Sequence, residues 1–233
     1  MASFNGSNYI EDQIKSILVQ LGTSDEIIIV DDASTDDTIE IINNLYDSRI
    51  KIFHNDNNIG VIPSFERALS LAKGDVIFLS DQDDVWLPNK VEKIMKVFFD
   101  NPDVTLCISD AEIINELGNI KKDSYFKRRG IFRSSAISNI LKNKFLGCSI
   151  AYKASMNENI LPFPSRIPAH DMWIGIINSI YGKSSFIDEP LFYYRRHSEN
   201  VTSMKHQNLL TMLRWRIDLI YNLLVRLVRN YFS

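Results

Sequence analysis

Two apolar runs, Glu26-Ile27-Ile28-Ile29-Val30 and Val76-Ile77-Phe78-Leu79, constrain this chain most, because each lies between segments of helical spacing and each ends on a cluster of carboxylates. An uninterrupted β-branched or aromatic run of this length predicts a strand covered on both faces. Upstream of the first run, Ile10, Ile14, Ile17, Leu18 and Leu21 recur at helical intervals, so the residues after Asn8 are expected to form an amphipathic helix. A second helix is expected after the first run, capped by Ser34 or Thr35 with Asp36 and Asp37 at its positive end. A short strand over 50–53, a Pro63-initiated helix ending at Gly74 and a Pro88-initiated helix carrying Val91, Ile94, Met95 and Phe98 complete the pattern. Strands alternating with helices predict parallel β-α-β units. Ligands of such sheets bind in the crevice outside the carboxyl ends of the strands. Asp31-Asp32 and Asp81-Gln82-Asp83-Asp84 are both placed at that end.

The second half is less regular. Strands are expected over 104–108 and 145–152, a helix from Ala169-His170-Asp171 through Ile180, and a strand over 191–194 that delivers Arg195-Arg196-His197. Residues 119–130, which include Lys121, Lys122, Lys127, Arg128 and Arg129, are expected to be a mobile basic loop or a lid over an anionic ligand. Residues 207–232 read as one long helix, so the expected division is a main domain over 1–205 and a helical appendage over 206–233. The 233 residues suffice for a large buried core, and 45% hydrophobic with 24% charged residues is ordinary globular composition.

A net charge of -3 argues against nucleic acid as a partner, since that needs a clustered basic surface. Cys107 and Cys148 each lie in an apolar run, as buried thiols of a reducing compartment do. Asn200-Val201-Thr202 has the form of a glycosylation sequon without other signs of secretion. Met1 leads into polar Ser3 to Asn8 rather than a leader, and no uncharged run reaches membrane-spanning length. The expected location is cytoplasmic.

Asp81, Asp83 and Asp84 repel one another unless a cation sits among them. Hard oxygen ligands of this kind suit Mg²⁺ or Mn²⁺, which also bind substrate phosphates. The competing reading is a solvated loop and helix cap ahead of Pro88, a role Asp84 suits. Asp31-Asp32 has the same two readings, a cap or an acceptor for a base N–H or a ribose hydroxyl.

Six segments together carry a family resemblance: Ala2-Ser3-Phe4-Asn5-Gly6, Ile29-Val30-Asp31-Asp32-Ala33-Ser34, Asn58-Ile59-Gly60, Ser80-Asp81-Gln82-Asp83-Asp84-Val85-Trp86, His170-Asp171-Met172-Trp173 and Tyr194-Arg195-Arg196-His197. In order and content they resemble the inverting family-2 glycosyltransferases of the GT-A fold, in particular the rhamnosyltransferase-like group of bacterial surface-polysaccharide enzymes (O-antigen, capsule). The resemblance implies a mixed sheet flanked by helices and a UDP- or dTDP-sugar donor. It implies a glycan or lipid-linked acceptor and a Mn²⁺ or Mg²⁺ cofactor. It places Ser3 and Phe4 at the nucleotide, with Phe4 stacking on the base, Asp32 reading the base edge and Asn58 shaping the adjacent loop. Asp81 falls on the acid facing ribose and donor sugar. Asp83 falls on the metal ligand, His197 on a second ligand or diphosphate contact, and Arg195 and Arg196 on diphosphate-binding positions. Asp171 falls on the catalytic base, while its position also suits a helix N-cap; His170 is expected to position or pack.

In the family a buried apolar strand precedes the Ala2-Ser3-Phe4 segment. Here the chain opens in what reads as a loop, so the first strand is expected to be missing, and a non-catalytic nucleotide-sugar-binding relative stands as the alternative. The last helix is apolar but broken by Arg214, Arg216, Arg226 and Arg229. Two readings stay open for it: an amphipathic helix in a membrane interface at the inner face of the cell membrane, or packing against its own domain or a partner.

Overall fold

The computed structural model describes residues 1–122, 124–129, 134–198, 200 and 208–231. Its elements run β1 (Ala2–Ser3), α1 (Ile10–Leu18), β2 (Ile27–Asp31), α2 (Thr38–Asn43), β3 (Ile50–His54), α3 (Val61–Leu71), β4 (Val76–Phe78), β5 (Val85–Trp86), α4 (Lys90–Asp100), β6 (Val104–Asn115), β7 (Ile120–Lys122), α5 (Phe126–Arg129), α6 (Ala136–Leu141), β8 (Ile150–Lys153), α7 (Asn157–Ile160), α8 (His170–Tyr181), β9 (Lys183–Arg196) and α9 (Leu209–Tyr231).

The strands form two sheets. β1, β2 and β3 are parallel and in that order, with Ala2 opposite Val30 and Ile27 opposite Ile50. The second sheet has the order β4-β8-β6-β9-β5, with β7 added to β6, and is antiparallel except for β6 beside β9. Every residue of β2 is buried, as its unbroken apolar run requires. The main core joins α1, α3 and α8 to both sheets through Ile10, Ile14, Ile29, Phe65, Leu106, Tyr152, Trp173 and Phe192.

The opening residues are not a loop. Met1 is buried, Ala2 and Ser3 pair with β2, and the Met1 amine donates 2.8 Å to the Ile28 carbonyl. Burial lowers that amine to about 5. Beyond Met1, however, the sheets do not meet. Among the described residues β4 is bonded only to β8, and a cavity of about 520 Å³ lies between it and the first half of β2. Ile27, Ile28 and Val76 to Ser80 form its two edges, while Ile17, Phe65, Leu69 and Met95 form its walls.

Several local expectations shift. α2 starts at Thr38, with Asp37 at its N-cap, because Ser34 is occupied by Asp31: its N–H and hydroxyl donate 2.9 and 2.5 Å to that carboxylate. α3 begins at Val61, two residues before Pro63. The segment expected to be a mobile basic loop is largely structured. β7 pairs with β6, and Asp110 accepts the Tyr125 and Phe126 N–H groups at 3.1 and 3.0 Å together with the Ser124 hydroxyl. Tyr125 and Phe126 are buried. Gly130 and the side chains of Lys122, Arg128 and Arg129 lie outside the described residues, as does most of the Asn200-Val201-Thr202 sequon.

α9 docks on the main domain with one face. Leu219 and Leu223 enter the core, and the buried Arg226 donates to the Asn159 and Leu161 carbonyls at 2.7 and 2.9 Å and to Pro162. No described helix is long and apolar enough to cross a membrane.

Gly175 lets α8 approach Phe145: a Cβ there would lie 2.5 Å from three ring carbons. Ala is the better helix former by roughly 1 kcal/mol, but overpacking a rigid core costs about 1–3 kcal/mol. Phe145 is 2% exposed and cannot swing aside. Gly175→Ala is therefore expected to lower stability by about 1 kcal/mol, read as a lower urea midpoint at unchanged slope.

Candidate active site

Contacts link the carboxyl ends of β1, β2, β3 and β4 and the segment after β9, and the charge of Asp171 at the N-terminus of α8 acts on Asp81. The loops after β1 and β2 bond one another. Asn5 N–H donates 2.9 Å to Ser34, Gly6 N–H donates 2.8 Å to Thr38, and Thr35 N–H donates 2.8 Å to Asn5 Oδ1. Ser3, buried, gives its hydroxyl to Asp31 at 3.1 Å and so works behind the surface. Phe4 stands out of these loops, 42% exposed.

Gln82 holds Phe4 in place. Its Oε1 accepts the Phe4 N–H at 2.9 Å and its Nε2 donates to the Phe4 carbonyl at 3.0 Å, which clamps the backbone from both sides. A Cβ on Gly6 would sit 2.4 Å from that Oε1, so glycine is needed beside the clamp. In the sequence Gln82 reads as a spacer between acids. Its residue type, a long amide with a donor and an acceptor, is the only signal of the clamp.

Asp32 is buried and accepts three bonds from the loop after β3: Asn55 Nδ2 at 2.7 Å, Ile59 N–H at 2.9 Å and Gly60 N–H at 2.8 Å. Burial works to raise this carboxyl, but the bonds outweigh it and hold it below the usual range. The acid thus stays ionised and fixes the loop bearing the exposed Asn58, with Gly60 at φ 93.

The second cluster divides into an outer pair and an inner group. In the outer pair Asp83 Oδ2 meets His197 Nε2 at 2.8 Å; Asn200 Nδ2 reaches the same oxygen at 2.9 Å, and the Tyr9 ring lies 4.7 Å from the His197 ring. A carboxylate oxygen and an imidazole nitrogen at this separation suit two adjacent ligands of one Mg²⁺ or Mn²⁺ ion, whose bonds are about 2.1 Å long. The buried His197 Nδ1 has no hydrogen-bond partner among the described residues. In the inner group, Asp81, Asp84 and Cys148 each bring a ligand atom within 4.8 Å of the others. Burial and the adjacent carboxylates push the Cys148 thiol up, so it stays protonated and fits a hard cation poorly. The outer pair is the better match to a divalent cation; in the inner group burial and the neighbouring carboxylates raise Asp81 and Asp84. Asp84 is fully buried there and accepts the Arg195 N–H at 3.0 Å. Lys90, also buried, donates 2.9 Å to the Cys148 carbonyl between the rings of Trp86 and Phe192. Asp84 is thus no helix cap; Asn89 stands at the N-cap of α4.

Asp81 links the two chemistries of the crevice. Burial, then the charges of Asp83 and Asp171, raise its carboxyl to about 7. Asp171 sits in the first turn of α8, just inside the cap at Ala169, and its Oδ1 accepts the Met172 N–H at 2.6 Å. His170 is buried, stacked on Phe65 at 3.9 Å and held neutral, its pKa lowered to about 3 by burial. It packs, as expected.

Arg195 and Arg196 are placed differently from each other. Arg195 is buried and donates to the Asp83 carbonyl at 2.8 Å and the Glu116 carbonyl at 3.1 Å, under the ring of Tyr9. It braces the acidic loop from behind. Arg196 is half-buried and donates 3.0 Å to the Tyr194 hydroxyl. Tyr9 and Asn200 were missed by sequence reasoning, which placed one in a helix approach and the other in a sequon.

Known proteins resemble this chain in sequence and in fold. The family model described as glycosyl transferase family 2 matches residues 1–160. An Escherichia coli protein named UDP-Glc:alpha-D-GlcNAc-diphosphoundecaprenol beta-1,3-glucosyltransferase WfaP is 31% identical over 216 residues, which is 90% of this chain and 81% of its own. An uncharacterized Mycobacterium tuberculosis protein is 28% identical over 205 residues, and the chain spans 58% of its length. Among solved structures, Staphylococcus aureus TarS 1-349 in complex with UDP-GlcNAc aligns at a TM-score of 0.73 and 17% identity, over 95% of this chain and 65% of that one. The mannosyltransferase PcManGT of Pyrobaculum calidifontis, in complex with GDP-Man and Mn²⁺, aligns at 0.59 and 16%, over 100% and 63%. The matched family model and the shared architecture place the chain in glycosyl transferase family 2, with the GT-A fold.

Proposed function

We propose that this chain is an inverting, metal-dependent glycosyltransferase that moves a hexosyl or deoxyhexosyl group from a UDP- or dTDP-sugar to a hydroxyl of a glycan or lipid-linked acceptor in surface-polysaccharide synthesis. The observation that carries this reading is the acidic cluster in which Asp83 contacts His197 and the charges of Asp83 and Asp171 act on Asp81, with the exposed Phe4 held to the same loop by Gln82. The WfaP name supports a lipid-linked acceptor, and the PcManGT complex supports Mn²⁺.

Phe4, Asp32 and the Asn58 loop bind and orient the nucleotide, while Asp81 faces the ribose and donor sugar. Asp83 and His197 hold the divalent ion, and Arg196 stands near enough in sequence to serve the diphosphate. When bound, the ion neutralises charge that accumulates on the leaving nucleoside diphosphate. Asp171 takes the proton of the acceptor hydroxyl as that oxygen attacks the anomeric carbon from the face opposite the departing diphosphate. One attack from one face inverts the configuration. The outer side of α9 exposes Leu210, Leu213, Ile217, Ile220, Tyr221 and Leu224, opposite the face that docks on the domain. That apolar stripe supports a peripheral contact with the inner face of the membrane.

The test is transfer and donor hydrolysis across a nucleotide-sugar panel with Mn²⁺, Mg²⁺ or a chelator. Turnover is expected to require the ion, and Asp83→Ala is expected to lower kcat/KM by about 10²–10³-fold. Equal turnover in chelator, or by Asp83→Ala, overturns the assignment. Donor binding without turnover in any condition favours a non-catalytic relative.

A further inference from the structure

Beside the crevice lies a second cavity, of about 360 Å³, which the reaction above does not use. α6 contributes Ile140 and Leu141, the approach to α8 contributes Pro168 and Ala169, α8 contributes Met172, and α9 contributes Met212 and Trp215. Its lining is apolar apart from Asn143 and two cations, Lys142 and Arg216. Neither cation pairs with a carboxylate among the described residues; Arg216 donates only to the Met212 and Leu141 carbonyls, at 3.2 and 2.7 Å. Two cations set in an otherwise apolar lining fit an amphiphile whose anionic head joins an apolar tail.

The place of the cavity narrows the ligand. Ala169 and Met172 flank His170-Asp171, so its wall begins one residue from the proposed base. An acceptor sugar with its hydroxyl at Asp171 would carry its aglycone toward this wall. Apolar side chains are also exposed on both helices, which Arg216 ties together at the Leu141 carbonyl: Ile137 and Leu141 of α6 are 72% and 62% exposed, and Leu213 of α9 is exposed as well. The volume is at the small end of ligand sites, which run roughly 300–1,000 Å³, so it takes the start of a chain rather than a whole lipid.

From these observations, and resting on the transferase reading above, we infer that the cavity between α6, α8 and α9 is an acceptor subsite for a polyisoprenyl diphosphate, with the first isoprene units against Met172, Met212 and Trp215 and the diphosphate against Lys142 and Arg216. The membrane-facing stripe of α9 then lies on the side from which the rest of the chain arrives.

Trp215 supplies a readout that needs no turnover, since Trp86 and Trp173 are buried elsewhere. Farnesyl diphosphate, below its aggregation concentration, is expected to change Trp215 emission saturably, and Trp215→Phe is expected to lose that signal. Lys142→Gln with Arg216→Gln, and separately Leu141→Gln, are expected to raise the Kd about tenfold and several-fold. Farnesol and inorganic diphosphate, each half of the ligand, are expected to bind at least tenfold more weakly. No saturable change with farnesyl diphosphate, or equal Kd values in wild type and all variants, overturns the inference. Donor binding with Mn²⁺ is measured on the same preparations. If the donor binds and is hydrolysed while farnesyl diphosphate does not bind, the subsite alone fails; if neither binds, the transferase reading fails with it.

Discussion

Asp171→Asn is expected to lower kcat about 10³-fold, within the 10²–10⁴ range of a lost general base, while donor affinity in the presence of Mn²⁺ changes less than about threefold. The substitution keeps shape and volume. An amide oxygen can still accept the Met172 N–H that Asp171 Oδ1 takes at 2.6 Å, so the first turn of α8 is preserved. What disappears is a carboxylate able to receive a proton. A second consequence separates this from mere disturbance of the helix. The charge of Asp171 is one of the causes that raise Asp81 to about 7. Removing it is expected to move Asp81 toward lower pH, so any pH dependence of donor binding in the range near 7 shifts down in the variant. Calorimetric titration of donor binding from pH 5.5 to 8.5, alongside turnover, checks both. Unchanged kcat sinks the base role. A lower kcat with an equal loss of donor affinity assigns Asp171 to binding instead.

The features of this site that were legible in the sequence are those whose chemistry is written in one short segment. The acids after β2 and β4 follow buried strands, and a carboxyl end of a parallel strand is where a crevice opens, so period and position together announced them. Phe4 and His197 were singled out by family resemblance rather than by pattern; Phe4 is exposed and His197 contacts Asp83. Illegible were the residues that act across long separations. Gln82 clamps a backbone 78 residues away, Asn200 reaches Asp83 across 117, and Arg195 braces the acidic loop through carbonyls rather than through a ligand. A side chain bonding to backbone leaves no complementary residue type to search for. The same reason hid Asp110, whose bonds to backbone N–H groups turn a basic segment that reads as mobile into ordered structure. The N-terminus differs from its sequence reading for another cause: Ala2 and Ser3 have poor strand propensity, and only tertiary pairing with β2 makes them one.

That pairing stops short, which leads to the second large effect. Counting down the parallel register from Ala2 opposite Val30, past Met1 to Asp25, the slot between β2 and β4 has room for roughly four more residues of strand. Four β-branched residues placed before Met1 are expected to enter it, pairing with β2 on one side and β4 on the other, with α1, α3 and α4 covering both faces. Each fully buried side chain contributes about 1.5–3 kcal/mol, against a backbone ordering cost of about 1–2 kcal/mol per residue. The added ladder bonds contribute about 1 kcal/mol each. A net gain of about 3 kcal/mol corresponds to roughly 6–12 °C in Tm for a chain of this size. A Gly-Ser extension of equal length, which cannot fill the slot, is the control.

The pH dependence gives an independent sign. The Met1 amine sits near 5 when folded and 8.0 when free, so between those values the unfolded chain binds a proton that the folded one does not, and stability from this group rises with pH across that window. Converting the amine to a peptide N–H, which can still donate to the Ile28 carbonyl, removes that slope. The apolar extension is therefore expected to stabilise more at pH 5.5 than at pH 8. Equal Tm for the apolar and Gly-Ser extensions at both pH values would show that the slot does not accept a strand.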